Sequence, residues 1–353
     1  MSIRINDVLL VAQQAKASDI HLTVSLPPMM RVNGHLVRME QFPVMTADDT
    51  LEILLSITTD HQREIFNSKG ELDMSFAVDP IGRYRVNAFR QRGSVAMAMR
   101  TVNTVVPNPE QLGLPEAFVE LYTRKRGLIL VTGPTGSGKS TSLASIINMI
   151  NEHRDAHIIT LEDPIEYLHL HKTSMVNQRE IGFDSMTYAN ALRAALREDP
   201  DVILVGEMRD FETISVAVTA AETGHLVLST LHTIGAASTV DRIIDVFPPH
   251  QQQQIRVQLA NVLEAVISQQ LIPTADGMGR CAAFEVMIAN SAVRALIREG
   301  KSHQLLSVMQ TNAKLGMISM DASLTQLFQE GKITRDMAVQ YAVDPDGMAQ
   351  KLK

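Results

Sequence analysis

The spacing of apolar residues divides the chain into two parts with different patterns. In the first hundred residues, apolar and polar positions alternate over short stretches, which is typical of strands with one buried face. Apolar residues at helical spacing in 7–16 and 51–57 predict two helices among these strands. The pattern predicts a mixed α+β unit, with strands at 20–24, 30–32, 35–39, 72–78, 83–89 and 95–101.

Local signals mark the turns and boundaries of this unit. Asn33-Gly34 is a strong hairpin signal, because both residue types tolerate positive φ. Thr46 and Asp49 have capping-box spacing and predict the start of the second helix. Two prolines within 105–109 suit a linker better than the interior of a helix or strand. We expect a first domain over 1–104, a linker over 105–116 and a second domain over 117–353.

Beyond the linker, unbroken apolar runs replace the alternation. They cover 127–131, 157–161, 202–205 and 226–230, with helical patterns between them. Apolar strands that alternate with helices predict an α/β domain whose parallel sheet is covered on both faces. From about residue 251 the pattern is mainly helical, with 255–270 and 292–299 as examples. We therefore expect a helical C-terminal region.

The composition excludes several classes of protein. The chain has 353 residues, of which 45% are hydrophobic and 20% charged, as in an ordinary globular protein. Its single cysteine, Cys281, excludes an internal disulfide and a multi-cysteine metal site, and it suits a reducing compartment. A net charge of −7 and the absence of Trp argue against a protein that coats nucleic acid. The sequence predicts neither a signal peptide nor a membrane span.

A glycine-rich segment follows the first apolar run. Residues 133–140, GPTGSGKS, fit the pattern G-x-x-x-x-G-K-[ST] between a predicted strand and a predicted helix. In that context the backbone N–H groups surround a phosphate at the helix N-terminus. Lys139 would neutralise the β- and γ-phosphates, and the Ser140 hydroxyl would ligate Mg²⁺. The sequence predicts an ATP site formed by Gly133, Pro134, Thr135, Gly136, Ser137, Gly138, Lys139, Ser140 and Thr141.

Further polar residues follow the other apolar runs, where the ends of parallel strands face a ligand crevice. Glu207 would orient or deprotonate the attacking water, unless it only caps the next helix. Three acids, Glu162, Asp163 and Glu166, follow the run at 157–161. One of them would hold Mg²⁺ through water or polarise the nucleophile, and a solvated acidic loop is the alternative. His232 would donate a hydrogen bond to the γ-phosphate, although a lone histidine is usually structural.

Five arginines and no acid lie between residues 81 and 100. If Arg92 and Gly93 form a two-residue turn, Arg85 lies opposite Arg100 on one face of a hairpin. Like charges in opposite positions destabilise a strand pair, so this face favours an anion. An ATP phosphate of a neighbouring subunit would serve, with Arg85 and Arg100 as arginine fingers in trans. A solvated basic face that pairs with surface acids is the alternative.

Together these motifs resemble those of the secretion and pilus ATPase family, over essentially the whole chain. The family's Walker A, Asp box, Walker B and His box correspond to 131–141, 161–167, 205–210 and 230–233. The strings at 17–22, 82–89, 196–201 and 221–226 match as well. The resemblance implies a PAS-like N-terminal domain, a RecA-like P-loop NTPase domain and a homohexameric ring.

The resemblance also implies roles for individual residues. Glu162 would take part in positioning metal and water, and Glu207 would be the catalytic carboxylate. His232 would contact the nucleotide. The two arginine fingers of the family fall on Arg85 and Arg100, which the predicted hairpin register places opposite each other.

Within the family, the chain looks most similar to the retraction ATPases of type IV pili. Assembly ATPases carry a longer N-terminal region and a four-cysteine zinc site, which a chain with one cysteine cannot form. Residues 292–299 resemble a helix of retraction ATPases, with Val293 and Ala295 in place of Ile and Asn. Ile234 is a further departure, since many relatives have a polar residue there.

This resemblance implies a Mg²⁺-dependent ATPase that powers pilus retraction and twitching motility. It would act at the cytoplasmic face of the inner membrane, peripheral to it, on the pilus platform protein and without direct contact with nucleic acid. A paralogous ATPase with an accessory or assembly role stays open. The net charge disfavours a hexameric nucleic-acid motor, and the retained site residues disfavour a non-hydrolysing scaffold.

Overall fold

A computed structural model describes residues 3–32, 34–102 and 105–352. The backbone forms two compact units, Met1–Val105 and Val106–Lys353. Within the described ranges, no helix combines the length and the apolar character needed to cross a lipid bilayer.

The first unit contains a six-stranded antiparallel sheet in the order β3-β2-β1-β6-β5-β4. Three helices accompany it, and their buried apolar residues share one core with the sheet. The elements are α1 (Ile5–Gln14), β1 (Asp19–Leu22), β2 (Met29–Val32), β3 (His35–Arg38), α2 (Ala47–Ile57), α3 (Asp60–Lys69), β4 (Glu71–Val78), β5 (Gly82–Gln91) and β6 (Ser94–Val102).

The local signals of this unit are confirmed, with one helix missed. Thr46 and Asp49 form the expected capping box of α2. β2 and β3 pair with Val32 opposite His35, although Asn33 itself lies outside the described residues. The helix that the apolar pattern missed is α3, which buries only Phe66 and so lacks an apolar stripe.

The β5–β6 hairpin has the register that its alternation predicts. Arg85 pairs with Arg100 and Val86 pairs with Met99. Arg92 and Gly93 form the turn with φ values of 48° and 80°, the positive values that a two-residue hairpin turn requires. Arg85 and Arg100 therefore share one face, and on the other face Val86, Ala88, Met97 and Met99 lie in the core.

The second unit has a seven-stranded sheet in the order β13-β12-β7-β11-β10-β8-β9. All pairs are parallel except β12–β13. Its strands are β7 (Gly127–Thr132), β8 (His157–Glu162), β9 (Met175–Glu180), β10 (Val202–Val205), β11 (Leu226–Leu231), β12 (Leu263–Pro273) and β13 (Arg280–Ile288).

Helices cover both faces of this sheet. In β7, Leu128 and Leu130 belong to one core cluster, whereas Ile129 and Val131 belong to another. The prediction of a parallel sheet covered on both faces is confirmed. The helices are α4 (Glu116–Val119), α5 (Lys139–His153), α6 (Tyr188–Ala195), α7 (Phe211–Glu222), α8 (Ala236–Asp245), α9 (Gln252–Val262), α10 (Ser291–Glu299), α11 (Leu305–Thr311), α12 (Met320–Gln329), α13 (Arg335–Tyr341) and α14 (Pro345–Lys351), and short 3₁₀ helices cover Glu120–Thr123, Ser302–Gln304 and Ala313–Leu315.

One predicted helix is wrong. The pattern over 255–270 predicts a continuous helix, but α9 ends at Val262 and the chain continues directly as β12. β12 pairs in parallel with β7 and is buried on both faces, so its residues show no period-2 alternation. A buried strand and a buried helix then have the same apolar pattern, and pairing with the central strand decides between them.

The predicted helical C-terminal region is confirmed for α10–α14. Met320 and Leu324 of α12 pack with Ile272 of β12 and Ala283 of β13. The PAS-like character of 1–104 and the linker over 105–116 stay predictions. Within that linker range, Leu114 lies in a core cluster of the second unit.

Candidate active site

The parallel register brings four strand ends to one edge of the sheet. Thr132 of β7 lies opposite Leu231 of β11, and Val205 of β10 lies opposite Ser229 of β11 and Leu161 of β8. The segments that leave these ends carry the residues that the sequence analysis selected. The edge therefore collects the glycine-rich loop, Glu162, Glu207 and His232.

Lys139 lies folded over the glycine-rich loop that precedes α5. Its side chain is buried, and Nζ donates to the carbonyl oxygens of Gly133 at 2.8 Å and Pro134 at 3.1 Å. Burial lowers the pKa of Lys139, while Glu207 and Glu166 oppose that shift. The ammonium is thus placed at the loop where phosphates would bind.

Gln269 of β12 supports this loop and was missed because its segment was predicted as helix. A Cβ at Gly133 would lie 2.2 Å from the Gln269 carbonyl oxygen, and one at Gly138 would lie 2.9 Å from Nε2. Gln269 Oε1 also accepts a hydrogen bond from Ser142 Oγ at 2.8 Å. The glycines therefore permit a close approach between the loop and β12, in addition to their positive φ angles. A glutamine inside a long apolar run is the signal that marks this position.

The two hydroxyl residues at the start of α5 contact the segment that follows β8. Ser140 Oγ donates to Glu166 Oε1 at 3.0 Å, and Thr141 Oγ1 lies 3.1 Å from the Tyr167 hydroxyl. Glu166 was seen in the sequence only as one member of an acidic loop. The structure places its carboxylate beside the predicted Mg²⁺ ligand Ser140.

Glu162 is half-buried at the end of β8. Its Oε1 accepts hydrogen bonds from Thr160 Oγ1 at 2.6 Å and Gln178 Nε2 at 3.0 Å. Burial raises the pKa of Glu162, because the loss of solvation outweighs these hydrogen bonds. The residue is held inside a polar network, unlike the side chains of a solvated loop.

The carboxylate of Glu207 has two nitrogen partners, one on an arginine and one on a histidine. Its Oε1 accepts from Arg209 Nε at 2.6 Å and lies 3.2 Å from His232 Nε2. Burial opposes its ionisation, but Arg209 and His232 outweigh that effect and the pKa of Glu207 is lowered. Asp210 caps α7 by accepting from Thr213 N, so Glu207 is not the cap of that helix.

His232 connects this carboxylate to the glycine-rich loop. Its Nε2 faces Glu207, and its Nδ1 lies 3.5 Å from Thr135 Oγ1. The side chain is 43% exposed, which leaves the ring accessible to a ligand. Because each ring nitrogen has its own partner, a change in the position of the glycine-rich loop or of Glu207 alters a contact of His232.

Gly206 lets Tyr188 pack directly behind Glu207. A Cβ at Gly206 would lie 2.8 Å from the Tyr188 hydroxyl oxygen and 3.1 Å from the Leu161 carbonyl oxygen. Burial raises the pKa of Tyr188, with Asp163, Glu207 and Glu162 adding to the shift, so the phenol stays protonated. Sequence reasoning missed Tyr188, because nothing local distinguishes it from a core aromatic residue.

The arginine face of the first unit has acids beside it. Arg100 Nε donates to Asp19 Oδ1 on β1 at 3.0 Å, and Asn87 Nδ2 donates to Asp73 Oδ1 on β4. The side chain of Arg100 is still 76% exposed. The expectation of pairing with surface acids is therefore realised in part at Arg100. Arg85 lies beside Arg100 in the register and opposite Ser75 of β4.

The helix α10 contains residues 292–299, which resemble a helix of retraction ATPases, and its first arginine contacts other residues of the same unit. Arg294 of α10 donates to the carbonyl oxygens of Ala260 and Asn261 at 2.7 Å each, and to Glu264 Oε1 at 2.8 Å. These carbonyls belong to the end of α9, where they have no partner within the helix. Arg294 thus caps α9 at the point where the chain changes from helix to strand, whereas Arg298 is exposed.

Comparison with known proteins identifies the family of the chain. The sequence profile of the type II/IV secretion system protein family matches residues 1–305. The chain belongs to this family. It is a nucleotide-binding ATPase of the secretion and pilus group, with a RecA-like second domain.

Two relatives and one solved structure match nearly the whole chain. The twitching motility protein of Neisseria gonorrhoeae is 51% identical over 322 residues, which are 91% of this chain and 86% of the relative. The type IV pilus retraction ATPase PilT of Pseudomonas aeruginosa is 47% identical over 342 residues, 97% and 99% of the two chains. The crystal structure of the pilus retraction motor PilT with bound ADP has a TM-score of 0.92 at 48% identity and covers 98% of each chain. The chain is a homologue of PilT.

The packing of Tyr188 behind Gly206 gives the first prediction. Gly206→Ala should lower ATP turnover by about tenfold, since the added methyl group must displace the segment that holds Glu207. Adding Tyr188→Phe should restore part of the activity, because it removes the hydroxyl that the methyl group meets. Steady-state phosphate release measures both effects. Gly279→Ala is the control, as its Cβ would meet only Thr274 Oγ1 at 3.7 Å; equal losses in Gly206→Ala and Gly279→Ala would contradict the steric account.

Proposed function

We propose that the chain is a Mg²⁺-dependent ATPase that works as a homohexameric motor and powers type IV pilus retraction and twitching motility. The observation that carries this proposal is the contact of His232 with both Glu207 and the glycine-rich loop. The similarity to PilT over nearly the full length supports the retraction role. A position at the cytoplasmic face of the inner membrane, beside the pilus platform protein, belongs to the same proposal.

Each residue at the sheet edge has a task in hydrolysis. The loop residues Gly133–Thr141 surround the phosphates with N–H groups, and Lys139 neutralises their charge. Glu207, whose pKa is lowered, is an ionised base that accepts the proton of the attacking water. His232 contacts the γ-phosphate. When that phosphate leaves, the contact between His232 Nε2 and Glu207 changes.

The oxygen atoms near Ser140 suit a magnesium ion. Mg²⁺ prefers hydroxyl, carboxylate and water oxygens, and Ser140 Oγ already lies 3.0 Å from a carboxylate oxygen of Glu166. Ser140 would hold the ion directly, and Glu162 would hold it through water. The ion would neutralise charge on the phosphate oxygens during hydrolysis. The raised pKa of Glu162 fits this task, because a carboxylate that is destabilised by burial gains from a nearby cation.

The arginine face of the first unit would complete the ATP site of a neighbouring subunit. Arg85 and Arg100 lie opposite each other, so their positive charges repel and an anion between them relieves that repulsion. Asp19 neutralises part of the charge of Arg100 in the isolated chain. Arg85 and Arg100 would act as arginine fingers in trans.

The cellular role can be tested with one deletion and two complementing alleles. Deleting the gene in a piliated cell should give excess surface pili and no twitching, since pili would assemble but not retract. The wild-type gene should restore twitching and Glu207→Gln should not. The purified Glu207→Gln protein should bind ATP but hydrolyse it at least about a hundredfold more slowly. Glu222→Gln, at the end of α7, serves as a control; loss of surface pili after the deletion would indicate assembly instead.

Catalysis in trans predicts that two inactive variants restore each other. Arg85→Ala rings and Glu207→Gln rings should each lose more than about tenfold in turnover. Rings that contain both should regain activity, because an Arg85→Ala subunit keeps Glu207 and receives Arg85 from its Glu207→Gln neighbour. Phosphate release from co-assembled rings measures this. Arg83→Ala, on the same face of β5, is the matched control, and mixed rings without recovery would contradict the proposal.

The contact between Arg209 and Glu207 predicts a pH effect. Glu207 acts as a base only when ionised, so the acid limb of kcat/KM follows its pKa. Arg209 lowers that pKa, and Arg209→Gln should therefore move the acid limb to higher pH. Arg209→Lys should move it less, since it keeps the charge. An acid limb at the same pH in Arg209→Gln would show that this ion pair does not set the pKa of the base.

A further inference from the structure

A buried carboxylate lies outside the active site and has two backbone partners. Glu285 of β13 is 6% exposed. Its Oε1 accepts from Ala236 N at 2.7 Å, and its Oε2 accepts from Met320 N at 3.3 Å. Ala236 is the first residue of α8 and Met320 is the first residue of α12. One side chain therefore joins the starts of two helices that are distant in sequence.

The helix α8 depends on this carboxylate because its own sequence supplies no cap. The residue before it is Gly235, which has no side-chain oxygen. The first free N–H groups bond to the sheet instead: Gly235 N donates to Ser268 Oγ at 3.0 Å, and Ala236 N donates to Glu285. The start of α8 is thus positioned by β12 and β13.

The segment before α8 carries the histidine of the active site. Residues 232–235 form a loop in which His232 and Ile234 are exposed, and no apolar residue is buried between Leu231 and Ala236. The Thr233 hydroxyl lies 2.7 Å from that of Thr239, which belongs to α8 itself. The position of this loop is therefore set by β11 at one end and by Ser268 and Glu285 at the other.

The other partner of Glu285, Met320, begins α12, the third of the C-terminal helices α10–α14. Residue Ile318, just before α12, exchanges two backbone hydrogen bonds with Val286 of β13, at 2.8 and 3.1 Å. Two helix N-termini stabilise the Glu285 anion. Burial raises the pKa of Glu285, and Asp321 adds to that shift. A buried apolar residue would fill the same space at less cost, but it could not accept from both helices.

We propose that Glu285 is a positioning residue of the nucleotide site, which ties the 232–235 loop to the start of α12. Through this tie, the contact of His232 with Glu207 depends on the position of the C-terminal helices. A displacement of α12 changes the site, and loss of the γ-phosphate at His232 is transmitted back to α12. The inference rests on the roles proposed above for Glu207 and His232.

The test is the substitution Glu285→Gln in the full-length protein. Glutamine presents one carbonyl oxygen and one NH₂ group, so one of the two backbone N–H groups loses its acceptor. We expect kcat for ATP to fall about tenfold with KM changed by less than about twofold, since the loop is displaced and the phosphate-binding residues are not. Amide hydrogen exchange should increase at 235–237 or at 320–322.

Asp321→Asn is the matched control. Asp321 also accepts from two backbone N–H groups, Val343 N and Asp344 N, one at each oxygen. The variant makes the same chemical change, but the N–H group that loses its acceptor lies at 343–344, after α13. Met320 N keeps Glu285 as its acceptor, so the tie to the 232–235 loop is unchanged and kcat should be kept. A kcat of Glu285→Gln within twofold of wild type, or an equal loss in Asp321→Asn, would overturn the inference.

A milder variant covers the case in which Glu285→Gln does not fold. Ser268→Ala removes the neighbouring acceptor of Gly235 N and should lower kcat with KM unchanged; an unaltered kcat would then count against the inference. Failure of the roles proposed for Glu207 and His232 would look different, since Glu207→Gln would then hydrolyse ATP at the wild-type rate.

Discussion

The parallel pairing of β7 with β11 and β12 is the constraint on which the second unit depends. β7 is buried on both faces, so its backbone N–H and C=O groups can be satisfied only by neighbouring strands. That requirement aligns the strand ends and brings segments from four parts of the chain to one edge. The same pairing recruits 263–273 into the sheet and places Gln269 against the glycine-rich loop. The candidate active site therefore lies where backbone hydrogen bonding aligns the strand ends, and the residues that follow the strands supply its polar groups.

Burial and neighbouring charges together set the pKa values of the two acids at the sheet edge. Glu162 and Glu207 are both partly buried, and both lose solvation. Their pKa values move in opposite directions, because the loss of solvation dominates at Glu162, which accepts from two neutral donors, whereas Arg209 and His232 outweigh it at Glu207. Two carboxylates with pKa values moved apart can serve as an ionised base and as a residue that gains from a cation.

Much of this arrangement follows from the sequence, and its gaps have physical causes. The apolar runs identify β7, β8, β10 and β11, and the turn at Arg92-Gly93 sets the register of the arginines, because these features depend on neighbours in sequence. Gln269, Tyr188 and Glu285 were missed because their contacts join residues that are distant in sequence. The predicted helix over 255–270 failed for the same reason, since pairing with β7 outweighs the local pattern. Arg209 and Glu166 were present in the motifs, but only the structure shows which atoms they contact.

The hairpin register of β5 and β6 also bears on how such a protein can change during evolution. Side chains alternate between the two faces of a strand, so one residue inserted within β5 would turn Arg85 toward the core and a core residue toward the solvent. An insertion of two residues would preserve the faces, but it would separate Arg85 from Arg100. A substitution in this hairpin can therefore leave the register intact, whereas a change in its length cannot. The spacing of Arg85 and Arg100 is set by the same register that buries Val86 and Met99 on the opposite face.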